Sequence, residues 1–385
     1  MNISDNIRYV GVDDLDIDLF ESQYIVPEGM SYNSYVILDE QTAVMDTVDA
    51  RKTDEWLENV KKALNGRELN YIVCQHMEPD HAGSLFKAVE AFPSAKIVGN
   101  AKTFTYMSQF FDINLEGKKV EVKDGESLSL GKHNLTFVFA PMVHWPEVMV
   151  SYESSEKVLF AADGFGKFGA ISKYDGDWAC EARRYYFNIC GKYGVQVQSL
   201  LKKAATLDIK TIAPLHGPVL KENLSYYINL YDVWSSYGVE SEGVLVAYAS
   251  IHGNTKKVAE KIAQMLEKQG AKKVVVSDLS RDDEAEVIED AFRYGKMIIA
   301  APTYDGGLFP PMESFLSHLK SKNYQKRTVG IIENGTWAPM SGKFMKAALE
   351  SMKEIKICET VVTIKSALKP ENEPQLEALA KEVMA

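Results

Sequence analysis

Thiols are scarce in this chain: the 385 residues hold four cysteines, Cys74, Cys180, Cys190 and Cys358, and no two stand as C-x-x-C. That excludes a disulfide framework and a thiolate zinc knuckle, and it fits a reducing, cytoplasmic compartment. Long apolar runs are missing too. No stretch approaches the ~18 apolar residues that a membrane span needs. Residues 1–30 scatter acids among apolar residues, without the basic and apolar blocks of a secretion signal. Positive charge is in deficit, with 43 Lys and Arg against 54 Asp and Glu and a formal net charge of -11. Such a balance disfavours nucleic acid and anionic membrane as partners and leaves small molecules and cationic proteins open.

What is present is material for a large core: 46% of residues are hydrophobic and 25% charged. A chain of 385 residues exceeds the size at which one core stops growing, so two domains are expected. The rhythm changes near residue 243. Beyond it, short apolar runs rich in β-branched residues (244–250, 272–279, 296–304, 328–334 and 359–365) alternate with amphipathic helical stretches, two of them closing on Gly270 and Gly295. Five β-α units in succession imply a doubly wound parallel sheet close to the flavodoxin-like pattern. Residues 1–242 are more mixed. The segment SYNSYVILDEQTAVMDTV reads as two strands about a polar turn, ENLSYYINLYDVWSSY (222–237) as a last helix and GVESEG (238–243) as the linker, which gives a layered α/β domain at 1–242 and a second domain at 243–385.

The densest chemistry lies in QHMEPDHAGS, which carries His76, Glu78, Asp80 and His81 directly after the apolar run YIVC. A helix would spread these four around its circumference, whereas an extended strand ending at Pro79 points His76, Glu78 and Asp80 one way. His144, Asp163 and His216 also follow apolar runs. Strand ends on one edge of a sheet are where an α/β domain builds its sites. Imidazole and carboxylate without thiolate suit iron, manganese or zinc, and two His with a carboxylate is the habitual iron set. A lone His in such a place is usually a satisfied polar residue, but four of the seven histidines fall into this pattern. His133, His252 and His318 do not, and read as surface or local hydrogen-bonding residues.

In the second half the first strand is followed by Ser250, Ile251, His252, Gly253, Asn254 and Thr255 and then a helix. A strand, a tight glycine turn and a helix N-terminus offer backbone N–H groups and the positive end of a dipole to an anion. The loop lacks G-x-x-x-x-G-K-[ST], which disfavours a nucleoside triphosphate. Loops after the third and fourth strands hold Pro302, Thr303, Tyr304, Asp305, Gly306 and Gly307, and Asn334, Gly335, Thr336 and Trp337, where glycines let backbone approach a ligand. A formal G-x-G-x-x-G at 164–169 is followed by AISKYDGDW, not a helix, so its glycines read as a flexible approach to the metal cluster rather than a dinucleotide site.

The pattern H-x-[HE]-x-D-H, with a distant His, a distant Asp and a last His before Gly, resembles the metallo-β-lactamase fold. Glu78 at the second position is the variant of flavodiiron proteins, and S-I-H-G-N-T is similar to the flavodoxin signature [ST]-x-x-G-N-T that holds the FMN phosphate. The resemblance covers the whole chain. It implies a metallo-β-lactamase-like αβ/βα sandwich followed by a flavodoxin-like domain. It further implies one iron on His76, Glu78 and His144, another on Asp80, His81 and His216, Asp163 bridging them, and FMN shielded by Tyr304 and stacked on Trp337. FMN and two ferrous irons store four electrons, enough to reduce dioxygen to water; coupling two nitric oxides to nitrous oxide takes two. The same resemblance implies a head-to-tail homodimer, or a dimer of dimers, that brings the flavin of one chain to the irons of another. With no rubredoxin-like C-x-x-C tail, it also implies a separate electron donor such as rubredoxin. Glu28 stands where some relatives carry a His near the iron pocket. Two other readings remain: a zinc hydrolase of the same fold with a flavodoxin regulatory module, and a non-enzymatic flavin electron carrier.

Overall fold

The computed structural model describes residues 2–385. It divides into two compact units: the chain through Tyr186 with Val195–Asp232, and Phe187–Gly194 with Val233–Ala385. Residues 233–242, which precede the expected boundary at 243, thus group with the second unit. The cause is local. The buried Arg327 guanidinium donates to the carbonyls of Tyr237 and Gly238, each at 2.8 Å, and the first strand of that unit already begins at Ser241.

Among the described residues, the first unit holds two small two-stranded sheets and two large ones. One runs Ile7–Tyr9, Tyr35–Ile37, Ala43–Met45, Tyr71–Val73, Lys96–Gly99, Lys119–Glu121 in spatial order; the other runs Ser127–Ser129, Asn134–Phe139, Met149–Glu153, Val158–Phe160, Thr211–Ala213. Tyr35, Ile37, Met45 and Val73 of the first sheet share one buried cluster with Phe137, Met149, Phe160 and Ala213 of the second. Each large apolar side chain so buried contributes about 1.5–3 kcal/mol. Helix Thr53–Leu64 buries Trp56, Val60, Ala63 and Leu64, one stripe at helical spacing. The segment SYNSYVILDEQTAVMDTV (31–48) contributes to three strands rather than two. Asn33 interrupts it, because its amide donates at 2.8 Å to the carbonyls of both Pro214 and Gly217. Met30–Tyr32 pairs instead with Val12–Asp14.

The second unit is one parallel sheet in the order Val274–Asp278, Ser241–Tyr248, Tyr294–Tyr304, Thr328–Asn334, Lys356–Ile364, with Gly307–Leu308 as an antiparallel addition. In order of sequence that is 2-1-3-4-5, the flavodoxin-like arrangement. Helix Asn254–Lys268 turns Val258, Ala259, Ile262, Ala263 and Leu266 into the core. Gly270 has φ +90° as a helix terminator should, but Gly295 does not close a helix. The preceding helix ends at Arg293, and Gly295 lies in the strand Tyr294–Tyr304, where an added Cβ would stand 3.1 Å from Val239.

Candidate metal centre and anion-binding cleft

All seven metal-ligand candidates converge. His76, Glu78, His144 and Asp163 form one group and Asp80, His81 and His216 another, the donor atoms in each lying within 4.8 Å of one another. Asp163 faces both. Its Oδ2 is 3.3 Å from His76 Nε2 and 3.5 Å from His144 Nε2, while its Oδ1 is 3.0 Å from His81 Nε2 and 3.7 Å from His216 Nε2. Glu78 Oε2 lies 2.9 Å from His144 Nε2, and Asp80 Oδ2 lies 3.1 Å from His216 Nε2. Every imidazole presents Nε2 to the same small volume.

The backbone that achieves this differs from the expected strand. The apolar strand stops at Val73, and Pro79 opens the short helix Pro79–Ala82 with Glu78 as its extended N-cap (φ -61, ψ 139). Proline fits the first helical position, where no N–H is needed and its φ is already helical. Ahead of it the chain is held by a side chain instead of a ladder: Asp46 accepts from the Gln75 backbone N–H at 2.7 Å and the Gln75 amide at 2.9 Å. Nor do the groups share one sheet edge. His76 and Glu78 follow a strand of the first sheet, and His144, Asp163 and His216 follow three strands of the second, so the cluster sits at strand ends of both. The stretch 163–170 is buried throughout rather than a flexible approach, pinned by the Phe165 N–H donating to Tyr231 at 2.6 Å.

Electrostatics in the cluster oppose burial. Burial alone would raise the Asp163 carboxyl, but the His81 and His76 imidazoles outweigh it and hold Asp163 well below the usual range. Burial alone would lower His144, yet Asp163 and Glu78 bring it up to about 9. Asp80 is pushed up to about 7 by burial, and burial likewise lowers His216 toward the neutral form that ligates metals. Protons here stand in for cations, and metal binding must displace them. The donor set fits such cations: both Asp80 oxygens, Asp163 Oδ2 and His216 Nε2 are buried without a hydrogen-bond partner. A buried polar atom so orphaned costs about 1–3 kcal/mol unless something else satisfies it.

In the second unit a cleft of about 520 Å³ opens at the carboxyl ends of the strands. Fourteen of the sixteen expected residues line it, from Ser250, Ile251, His252, Asn254 and Thr255 through Pro302, Thr303, Tyr304, Asp305 and Gly306 to Asn334, Gly335, Thr336 and Trp337. Gly253 and Gly307 do not. Gly253 is the turn, with φ +81 and open space where a Cβ would stand, and it caps the following helix without a side-chain hydrogen bond. Ser250 Oγ is buried and unpartnered. Free helix N–H groups, an orphan hydroxyl and a glycine turn form a cradle suited to a phosphate. Trp337 is 90% exposed, beside the half-exposed Ile251 and Tyr304.

Two family models match the chain: one described as ODP family beta lactamase over residues 30–217, and one described as a flavodoxin domain over residues 245–364. Among solved structures, rubredoxin oxygen:oxidoreductase of Desulfovibrio gigas is 27% identical, with a TM-score of 0.93 over 100% of this chain and 97% of that one. The flavodiiron protein of Giardia intestinalis is 25% identical, with a TM-score of 0.91 over 99% and 96%. The chain belongs to the flavodiiron family. The nitric oxide reductase of Moorella thermoacetica is similar to this flavodiiron protein at 28% identity, over 100% of this chain and 98% of that one.

Several residues of this flavodiiron protein bear on the sites without having stood out in the sequence. Glu147 holds His76, Asp46 holds the 75–76 turn, and the Ser31 carbonyl accepts from His216 Nδ1 at 2.7 Å. Ala338, Met340 and Ser366 also line the cleft, the last tied to Asn334 by reciprocal hydrogen bonds of 3.0 and 3.1 Å. Ser366 follows the fifth strand, so the rule that sites gather at carboxyl ends of all strands could have found it. Glu28 is exposed, is in neither ligand group, and gives its carbonyl to the Ala170 N–H. His133 is buried between Asp39 and Glu156, and His318 pairs with Glu284. No described helix is long and apolar enough to cross a membrane.

Proposed function

We propose that this flavodiiron protein takes electrons from an external donor onto FMN and delivers them to a diiron centre that reduces dioxygen to water, nitric oxide to nitrous oxide, or both. One observation carries the reading: the two oxygens of Asp163 face two separate groups of donors, the geometry of a carboxylate shared by two cations. His76, Glu78 and His144 would hold one iron and Asp80, His81 and His216 the other. Iron so held supplies one-electron redox chemistry and open positions for a diatomic gas, and FMN supplies a two-electron store. Glu78 places a charged oxygen where hydrolases of the metallo-β-lactamase fold usually have a neutral nitrogen, which favours iron over zinc. Ser250, Asn254 and Thr255 would seat the FMN phosphate, and Tyr304 and Trp337 the ring. Residues 1–242 would serve as the diiron domain and 243–385 as the FMN domain.

The mouth of the cleft exposes Trp337, Ile251 and Tyr304 at 90%, 43% and 44%. Clustered apolar exposure of this kind marks a surface that a partner covers. A head-to-tail second copy would cover it and bring flavin to iron, and a small redox protein such as rubredoxin would be the donor, in the cytoplasm. Stopped-flow mixing of the fully reduced protein with each gas, with product analysis, tests the proposal. Reoxidation by at least one gas much faster than that of free reduced FMN is expected. Equal rates, or zinc in place of iron in protein purified from cells, would overturn it.

A further inference from the structure

We infer that Glu147 is a positioning residue for His76 and makes the His76 half of the centre the tighter-binding half. Glu147 Oε1 lies 2.7 Å from His76 Nδ1, with both side chains fully buried. The same oxygen accepts the Met77 backbone N–H at 2.9 Å, so the carboxylate is anchored to the chain on which His76 sits. Its own backbone is anchored as well. Asn100 donates its side-chain amide to the Glu147 carbonyl at 2.6 Å and caps the helix Ala101–Phe110 with its Oδ1.

The consequence is chemical. A carboxylate behind Nδ1 fixes the proton there, leaves the Nε2 lone pair aimed at Glu78 Oε2 and Asp163 Oδ2, 3.2 and 3.3 Å away, and raises the basicity of that nitrogen. The other half has no equivalent. His216 Nδ1 meets the neutral Ser31 carbonyl at 2.7 Å, and His81 Nδ1 is buried without a hydrogen-bond partner. Among the described residues, Glu147 is the one carboxylate behind the Nδ1 of a ligand candidate. Loss of such an outer partner weakens metal binding by about 10–100-fold. The two halves therefore differ in affinity, with the His76 half filling first and emptying last.

This rests on the ligand assignment above, and the test separates the two. Metal-free protein retaining FMN is titrated anaerobically with Co²⁺, followed by its visible absorption in competition with a chelator. Wild type is expected to bind two Co²⁺ in steps at least tenfold apart, with His76→Ala removing the tighter step and His216→Ala the weaker. Glu147→Gln, which keeps an acceptor on Nδ1 but not its charge, is expected to weaken the tighter step by ~10–100-fold and leave the weaker step within about threefold. Asn100→Ala, which releases the Glu147 backbone but leaves its carboxylate on His76, is expected to weaken the tighter step by less than Glu147→Gln does. Two wild-type steps of equal affinity, an unchanged tight step in Glu147→Gln, or equal loss of both steps would overturn the inference while the ligand assignment stands. Two Co²⁺ bound normally by both His→Ala variants would overturn the ligand assignment, and the inference with it.

Discussion

Replacing Ser250 by Ala should weaken FMN binding while leaving the cofactor-free protein no less stable. Ser250 Oγ is buried and has no hydrogen-bond partner within the protein. A hydroxyl so placed costs about 1–3 kcal/mol of desolvation, so removing it is neutral or stabilising without cofactor. With a phosphate in the loop the same hydroxyl donates to a charged acceptor, a bond of about 1.5–3 kcal/mol. At ~1.4 kcal/mol per tenfold, its loss raises the FMN dissociation constant roughly 10- to 140-fold. Thr255 is the contrast. Its buried Oγ1 already accepts from Asn334 Nδ2 at 3.3 Å, so Thr255→Ala should also destabilise the protein prepared without cofactor. Flavin fluorescence quenching on titration of apoprotein gives the affinity, and thermal unfolding with and without FMN gives the two stabilities. An FMN affinity within about twofold of wild type in Ser250→Ala would refute the argument that the orphan hydroxyl is aimed at an anion.

Asp163→Ala should cost both irons and His216→Ala chiefly one, because Asp163 faces both donor groups; counting iron and FMN per chain after anaerobic purification checks this, FMN content serving as the control for folding. Glu78→His should move metal content toward zinc and abolish gas reduction, as read by metal analysis and oxygen or nitric oxide consumption, and retained iron with a normal rate would remove the case for Glu78 as the iron-selecting ligand. At His133, burial acts to lower the imidazole, but hydrogen bonds to Asp39 and Glu156 outweigh it and raise the group above its ordinary value. A raised histidine contributes stability that is complete below about pH 6.5 and is lost as pH rises through the folded-state value. The advantage of wild type over His133→Gln in urea unfolding, on the order of 1 kcal/mol at pH 6, should therefore shrink by pH 9, and a constant difference would contradict the charged pair.

The second unit was legible because a parallel sheet covered on both faces needs nearly continuous apolar strands, and runs such as VLVAYAS and MIIAAP state that locally. The ligand candidates were legible for a related reason: imidazoles and carboxylates crowd the ends of apolar runs, where burial would otherwise exclude them. Reading the path between them went astray at Pro79, where two rules compete. Proline disfavours a helix behind it and favours one ahead of it, and the sequence alone does not say which side the chain will use. What escaped notice is of a different kind. Glu147 lies 71 positions from His76, and Asn33 lies 181 positions from Pro214. No local pattern links such pairs, because each is made only when two sheets have already packed. The residues that touch a metal or a phosphate are marked by their own chemistry; those that aim them are marked only by the partner they meet. Glu147 is ordinary in HWPEV and becomes consequential through a single 2.7 Å contact with His76, which the tertiary structure alone makes.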